Sequence, residues 1–293
     1  MPMNTATYEI ITERIVSMLN EGTCPWRRPW NRLNAFPQNF ASHRQYNGIN
    51  LFLLSVIGHE LPFYLTFKQL VELGGTVKKG SKGMPIVYWK LLKSKTQTDA
   101  KGDPKAVPLL RYYTVFNASQ VDGIEFPKVE SRTGSTFEPL AEAERIVTGW
   151  TTGPKVEHGF AQACYCPTTD ILQMPSPPSF DSAESYYATL FHEMGHSTGH
   201  ESRLSRKFGT SFGSEAYSRE ELVAEMTSAF LCAHCGIDNS TMPQQAAYLA
   251  GWVKALKGDP KLVVTAAAQA QKAASLILAD VHEEAEAQEQ EAA

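Results

Sequence analysis

The sequence predicts an α+β protein in two parts. A small mixed α+β domain spans residues 1–127, and a mainly helical domain with a small sheet spans residues 139–281. Three observations carry that expectation. Apolar spacing changes along the chain, from short helices and a hairpin in the first half to repeated helical periods in the second. Charge divides at the same place: residues 1–127 hold 15 Lys and Arg against 9 Asp and Glu, or +6, and the remainder holds 12 against 22, or −10. Between the halves, Lys128-Val-Glu-Ser-Arg-Thr-Gly-Ser-Thr-Phe-Glu138 reads as a polar linker.

Composition narrows the class. At 293 residues the chain suits one large or two ordinary domains. No run of about 18 apolar residues is present, so no membrane span and no membrane partner are expected. The start lacks the basic-then-apolar layout of a secretory signal. Five cysteines, an odd number, fit free thiols in a reducing cytoplasm.

Taken in order, residues 4–20 place Tyr8, Ile11, Ile15, Met18 and Leu19 at helical spacing. Trp26-Arg27-Arg28-Pro29-Trp30-Asn-Arg32 and Phe36–Phe40 carry too much Pro and Asn for regular structure and read as an ordered loop. Tyr46–Leu54 is a turn entering a short buried helix, and Thr66–Gly75 a capped helix with Gly at its end. A basic turn, Val77–Gly83, leads into a strand at Met84–Leu92, and Leu109–Phe116 returns as its hairpin partner. The polar run 93–107 reads as a mobile loop. Pro139–Thr148 is helical and Ala163–Met174 is strand-turn-strand. Two helices bearing ligand-type residues follow, then two more near 243–256 and 259–280. An acidic tail over 282–293 has nothing apolar to bury.

The first ligand-bearing helix holds His192-Glu193-x-x-His196. Two histidines four apart lie one turn from each other on one helix face, so both imidazoles can reach one metal ion. Glu193 then lies beside that ion as a candidate base, one residue past the first ligand. A zinc site needs a third protein ligand and an open position for water. The next helix offers Glu221 and Glu225, one turn apart. Ser218-x-x-Glu221 also matches a capping box, which would make Glu221 a cap instead. His200 is a rival ligand beyond the helix-ending Gly199. Tyr217 is placed to donate a hydrogen bond to an oxyanion, or to staple onto Leu222. Cys164, Cys166, Cys232 and Cys235 read as packing residues and not as a second zinc site.

A second constellation lies upstream. Between Arg27 and Lys95 there are 11 Lys and Arg against Glu60 and Glu72, or +9, interleaved with aromatic residues. Cations that track phosphates, beside rings on which bases stack, hold single strands without sequence choice. The candidates are Trp26, Arg27, Arg28, Trp30, Arg32, Tyr46, Lys68, Lys78, Lys79, Lys82 and Trp89. About half of the aromatics in this window would equally serve as the core of a small domain.

The spacing Trp26…Pro29-Trp30…Pro37-x-Asn39…Tyr46-x-Gly48-x-Asn50…Thr66…Gly74-Gly75-x-Val77-x-Lys79-Gly80-x-Lys82-Gly83…Trp89 resembles the N-terminal domain of ArdC-type plasmid antirestriction proteins. That domain is shared with plasmid primases. Tyr165-x-Pro167…Asp170…Met174-Pro175, His192-Glu-x-x-His196-x-Thr198-Gly199-His200-x-x-Arg203 and Tyr217-x-Arg219-Glu220-Glu221…Glu225 are similar to the same family's zincin-like metallopeptidase domain. The resemblance implies single-stranded DNA binding and protection of incoming conjugative DNA from host restriction. It also implies a zinc peptidase site, with a host protein as a possible substrate. Zincins with a glutamate ligand carry an acid four residues after it, which favours Glu221 as ligand with Glu225 behind it. The metzincin spacing would need His at 202, where this chain has Ser202. A strand-coating protein with a structural zinc, and a protease acting on a host regulator, are the competing readings.

Overall fold

The computed structural model describes residues 5–22, 24–27, 36–56, 59, 61–98, 104–129, 139–206, 215–237 and 246–291; for 5, 6, 27, 56, 89–98, 104–111, 139, 215, 216, 246–249 and 280–291 it gives the backbone alone. Helix α1 (Thr5–Asn20) buries Tyr8, Ile11, Ile15 and Leu19 along one face. Strand β1 (Gln38–Asn39) and helix α2 (Gly48–Val56) follow, then β2 (Phe63–Thr66) runs directly into α3 (Phe67–Glu72). Thr66 makes that sharp junction possible. Its hydroxyl accepts from the Gln69 N–H while the Gln69 side chain accepts from the Thr66 N–H, a reciprocal cap. Strands β3 (Thr76–Val77), β4 (Met84–Thr98), β5 (Pro104–Asn117) and β6 (Val121–Asp122) complete the first half.

The main sheet there has the order β1-β2-β5-β4, with β3 and β6 paired separately. The outer edge of β4 is closed by a side chain. Asn50 of α2 donates to the Val87 carbonyl and accepts from the Val87 N–H, each at 2.6 Å. The expected loop at 93–107 is corrected here. Strand β4 pairs with β5 from Met84↔Val115 out to Lys93↔Ala106, and again at Thr98↔Pro104, so only 99–103 lies outside the described strands. Ladder bonds satisfy the backbone whatever the side chains, so a Lys- and Thr-rich run can extend a hairpin that apolar pairs have already registered.

The second half comprises α4 (Pro139–Gly149), β7 (Lys155–His158), β8 (Cys164–Cys166), β9 (Ile171–Met174), α5 (Ala183–Ser197), α6 (Glu215–Cys235), α7 (Ala246–Gly258) and α8 (Leu262–Glu291). Its sheet has the order β7-β9-β8, with β7 parallel and β8 antiparallel to β9. Helix α6 is buried on every side from Leu222 to Ala233, which is why it shows no amphipathic period. Helix α8 continues through most of the expected tail, where Glu, Ala and Gln are strong helix formers. Its stretch Leu262–Ala279 is long and apolar enough to cross a membrane by composition, at a mean hydropathy of 1.4. Val263, Ala266, Ala267, Ala270, Ala273 and Ile277 are nevertheless fully buried, which makes it a core helix.

The largest hydrophobic cluster draws on both halves, joining Ile11, Trp26 and Phe52 to Trp150, Phe191, Trp252 and Ile277. Polar bonds cross the same boundary: Thr12 donates to the Pro260 carbonyl at 2.7 Å, and the Gly48 N–H donates to Gln271 at 3.0 Å. The linker expected at 128–138 lies outside the described residues from 130 onward.

Candidate functional site

The site is built where α5 crosses α6. Ser182 caps α5, accepting from the Ser185 N–H at 3.1 Å. Gly195, inside the His-Glu-Met-Gly-His run, is what lets the two helices meet. A Cβ there would lie 3.0 Å from the Ala224 Cα and 3.1 Å from the Thr227 Cβ, with little room to give. Ser228 ties the crossing from the far side, donating to the Ala188 carbonyl at 2.7 Å.

Close crossing brings three donors together. His192 Nε2 and His196 Nε2 are 3.1 Å apart. Glu221 Oε2 lies 3.5 Å from His192 Nε2, and its Oε1 lies 3.5 Å from His196 Nε2. A tetrahedral ion with ligand bonds near 2.0–2.1 Å separates its donors by about 3.3 Å, so the three atoms already have metal-site spacing. Among the described residues this is the group with that property.

Glu193 is buried beside it and accepts from the Tyr165 N–H of β8 at 2.8 Å. Strand β8 is held in turn by its own turn residues. The Tyr165 hydroxyl donates to Asp170 at 2.7 Å, and Arg203 pairs with Asp170 while donating to the Ser197 carbonyl at 2.8 Å. Behind His196, Glu220 Oε1 lies 3.5 Å from Nδ1. Arg206 clamps that carboxylate at 2.7 Å and 3.0 Å and also donates to the Gly195 carbonyl at the end of α5. No local pattern in the sequence points to Glu220 or Arg206. Their roles exist only once the segment after α5 folds back onto α6.

Electrostatics favour a cation. Glu193, Glu220 and Glu225 are buried and Glu221 nearly so, with Arg206 as the buried positive partner of Glu220. Burial opposes protonation of both imidazoles, but the carboxylates overcome it. Glu220 and Glu221 push His196 up to about 10, and Glu221, Glu193 and Glu225 lift His192 above the ordinary imidazole value. Burial alone would raise Glu221, yet the two imidazoles hold it well below the usual carboxylate range. A group this rich in buried carboxylate suits a divalent ion, whose binding requires neutral imidazoles and an ionised glutamate.

The other candidate residues lie around this group. Helix α6 begins at Glu215, so Ser218 lies inside it and cannot cap it, and Tyr217 sits within the helix one turn before Glu221. Glu225 is buried one turn beyond Glu221. His200 lies past the end of α5, bonded to Ser202 at 2.7 Å, and outside the donor group. Cys232 and Cys235 are buried in the core, Cys164 and Cys166 sit on β8, and none of the five cysteines is in a disulfide.

The nucleic-acid candidates are placed less uniformly. Trp26 is a correction. It is fully buried, stacked on Phe52 at 6.1 Å and edge-on to Trp252 at 4.9 Å. A buried tryptophan removes about 150–250 Å² from water, which at about 25 cal/mol per Å² contributes about 4–6 kcal/mol. A base stack contributes about 1–3 kcal/mol, so the core keeps this ring. Tyr46 is half-buried and accepts from Asn39 at 3.3 Å. Lys68, Lys78, Lys79 and Lys82 are exposed, Lys68 near Glu72 and Lys78 near Asp122. Arg28, Trp30 and Arg32, and the side chains of Arg27 and Trp89, lie outside the described residues.

Residues 5–116 match the family model of the N-terminal domain of anti-restriction factor ArdC, and residues 141–269 match that of a zincin-like metallopeptidase. The structure is similar to the metal-free crystal structure of the antirestriction protein ArdC from plasmid R388. The TM-score is 0.74 at 35% identity, covering 94% of this chain and 98% of that one. An Mn(II)-bound structure of the same protein gives 0.74 at 36% identity, covering 94% and 97%. A DNA primase TraC of Escherichia coli is 40% identical over 93% of this chain, which spans only 27% of the primase's length.

Proposed function

The chain belongs to the ArdC family of antirestriction proteins, with its zincin-like domain in the second half, and from that premise we propose a two-part function. The first half binds single-stranded DNA without sequence choice. The second is a zinc peptidase centre, and the whole protects incoming conjugative DNA from host restriction. One observation carries the second part: three donors from two helices with mutual separations of 3.1, 3.5 and 3.5 Å.

His192, His196 and Glu221 would hold the ion, and the donor chemistry, two imidazoles and a carboxylate, suits zinc. When bound, zinc supplies Lewis-acid activation of water, lowering its pKa to about 7. Glu193 is the residue that would accept a proton from water there and pass it to the leaving amide nitrogen. The Tyr165 N–H fixes the carboxylate that does so. Tyr217, one turn before Glu221, is the residue that would donate a hydrogen bond to an oxyanion at the site. Glu225 supports the ligand helix from the next turn. That the R388 protein has an Mn(II)-bound structure supports binding of a divalent ion by the present chain.

For the first half, support comes from the +9 window and from the name of the E. coli relatives, DNA primases. Exposed Lys68, Lys78, Lys79 and Lys82, with Arg27, Arg28, Trp30, Arg32, Tyr46 and Trp89, are the proposed contacts. Trp26 is not among them.

A non-catalytic reading has one observation in its favour: Glu193 already spends one carboxylate oxygen on the Tyr165 N–H. Glu193→Gln separates the two, since it keeps the metal ligands and removes the base. The peptidase reading predicts loss of restriction protection with metal content unchanged. Full protection by that variant would leave strand coating as the function.

A further inference from the structure

Burial of Trp26 leaves open which rings could meet a base. Tyr88 and Tyr113 are 46% and 43% exposed and touch each other, ring centroids 6.0 Å apart at 80°. Their meeting follows from register: Ile86 faces Tyr113 and Tyr88 faces Arg111, which makes the two tyrosines diagonal neighbours on one sheet face. Closer to the body of the sheet the same face is covered, with Ile86 and Val115 buried against Leu54 and Tyr64. The exposed pair therefore stands where cover ends and the hairpin continues two-stranded, since β2 pairs with β5 only at Val115–Asn117.

Charge along that ribbon is net positive. Residues 88–113 hold six Lys and Arg against two Asp, or +4. A loop with this composition would be an unremarkable solvated run. As paired strands it is a cationic ribbon with two accessible rings on one face at its root, Tyr112 being exposed on the other, and a polyanion with flat, unpaired faces is the ligand that satisfies both features. A folded protein partner would need apolar surface, and a duplex has no free base faces.

Resting on the reading of the first half as a single-strand binder, we infer that the β4–β5 ribbon is the element that grips the strand. Bases stack on Tyr88 and Tyr113, and phosphates follow the ribbon's cations.

The test measures full-length protein binding to a short labelled oligothymidylate by fluorescence anisotropy across a range of salt. Tyr88→Ala with Tyr113→Ala should weaken binding at least roughly 10-fold, as stacks of this kind each contribute roughly 5- to 150-fold. Tyr88→Phe with Tyr113→Phe keeps the rings and should bind within about twofold of the parent, because stacking needs no hydroxyl. Lys90→Ala, Lys93→Ala and Lys95→Ala together should flatten the salt dependence by up to about three phosphate contacts. Thermal unfolding of each variant at the parent's midpoint excludes misfolding. If the parent binds and all three variants match it, the ribbon is overturned while strand binding stands. Equal weakening by the Phe and Ala pairs overturns stacking as its basis. A parent that does not bind the oligonucleotide at all overturns both.

Discussion

Arg206 holds Glu220 through two nitrogens, at 2.7 and 3.0 Å, and both side chains are almost wholly buried. The pair stands directly behind His196, 3.5 Å from its Nδ1. A carboxylate in that position orients the imidazole and makes it a better donor. Glu220→Gln should therefore weaken metal binding about 10- to 100-fold, read by competition with a chelator. Arg206→Met should instead cost about 3–5 kcal/mol of stability, because it leaves a buried carboxylate uncompensated. Unchanged metal affinity in Glu220→Gln would remove the carboxylate from the site.

Gly195 predicts a second outcome. Gly195→Ala places a methyl against the α6 backbone, which cannot yield as a side-chain tip would. It should destabilise the fold by about 1–3 kcal/mol as an overpacked crossing, and weaken metal binding by moving Glu221 away from the histidines. Gly251→Ala in α7 is the control, because nothing lies within 4 Å of the added atom. That change should stabilise the protein by about 0.5–1 kcal/mol. Chemical denaturation of both variants gives the comparison.

Asp170 sets a pH dependence. The Arg203 guanidinium, helped by the Tyr165 hydroxyl and opposed by burial, holds its carboxyl below the ordinary value. A depressed folded-state pKa adds stability that is present above the unfolded pKa, about 3.9, and is lost as pH falls through the folded one. Asp170→Asn should thus be less stable than the parent near neutrality, with the gap closing below about pH 4. Asn tolerates the positive φ of 52° at this position, so the backbone is not disturbed. A gap that widens on acidification would refute the assignment.

Trp26→Ala tests the core placement of that ring. It should cost about 3–5 kcal/mol in unfolding free energy, the usual range for a buried large aromatic. Near-parental stability together with a large loss of DNA affinity would return Trp26 to the binding surface.

What the sequence disclosed depended on how local each relationship is. His192 and His196 lie one turn apart on α5, so their convergence was visible before any fold. Glu221 and Glu225 were visible as candidates because they share one face of α6, whereas Glu220 lies about a quarter-turn round the helix from Glu221. Which one meets which histidine depends on a crossing that Gly195 permits. Arg206 had no signal at all, since its partners come from α5 and α6 together. Trp26 and Tyr88 sat in the same aromatic and basic window, and composition could not say which ring the core would take. Residues 93–107 looked like a loop because their pairing rests on a register laid down elsewhere in the hairpin.

The ion site proposed for this chain consists of His192, His196 and Glu221. The direct measurement is elemental analysis of purified protein, joined to an anomalous-scattering map at the zinc edge. The account predicts about one zinc per chain within about 2.0–2.2 Å of the three donors. It also predicts a metal-free Glu221→Ala variant and a Glu225→Ala variant that binds about 10- to 100-fold more weakly. A Glu221→Ala variant that retains its metal, or an anomalous peak away from the two histidines, would contradict it.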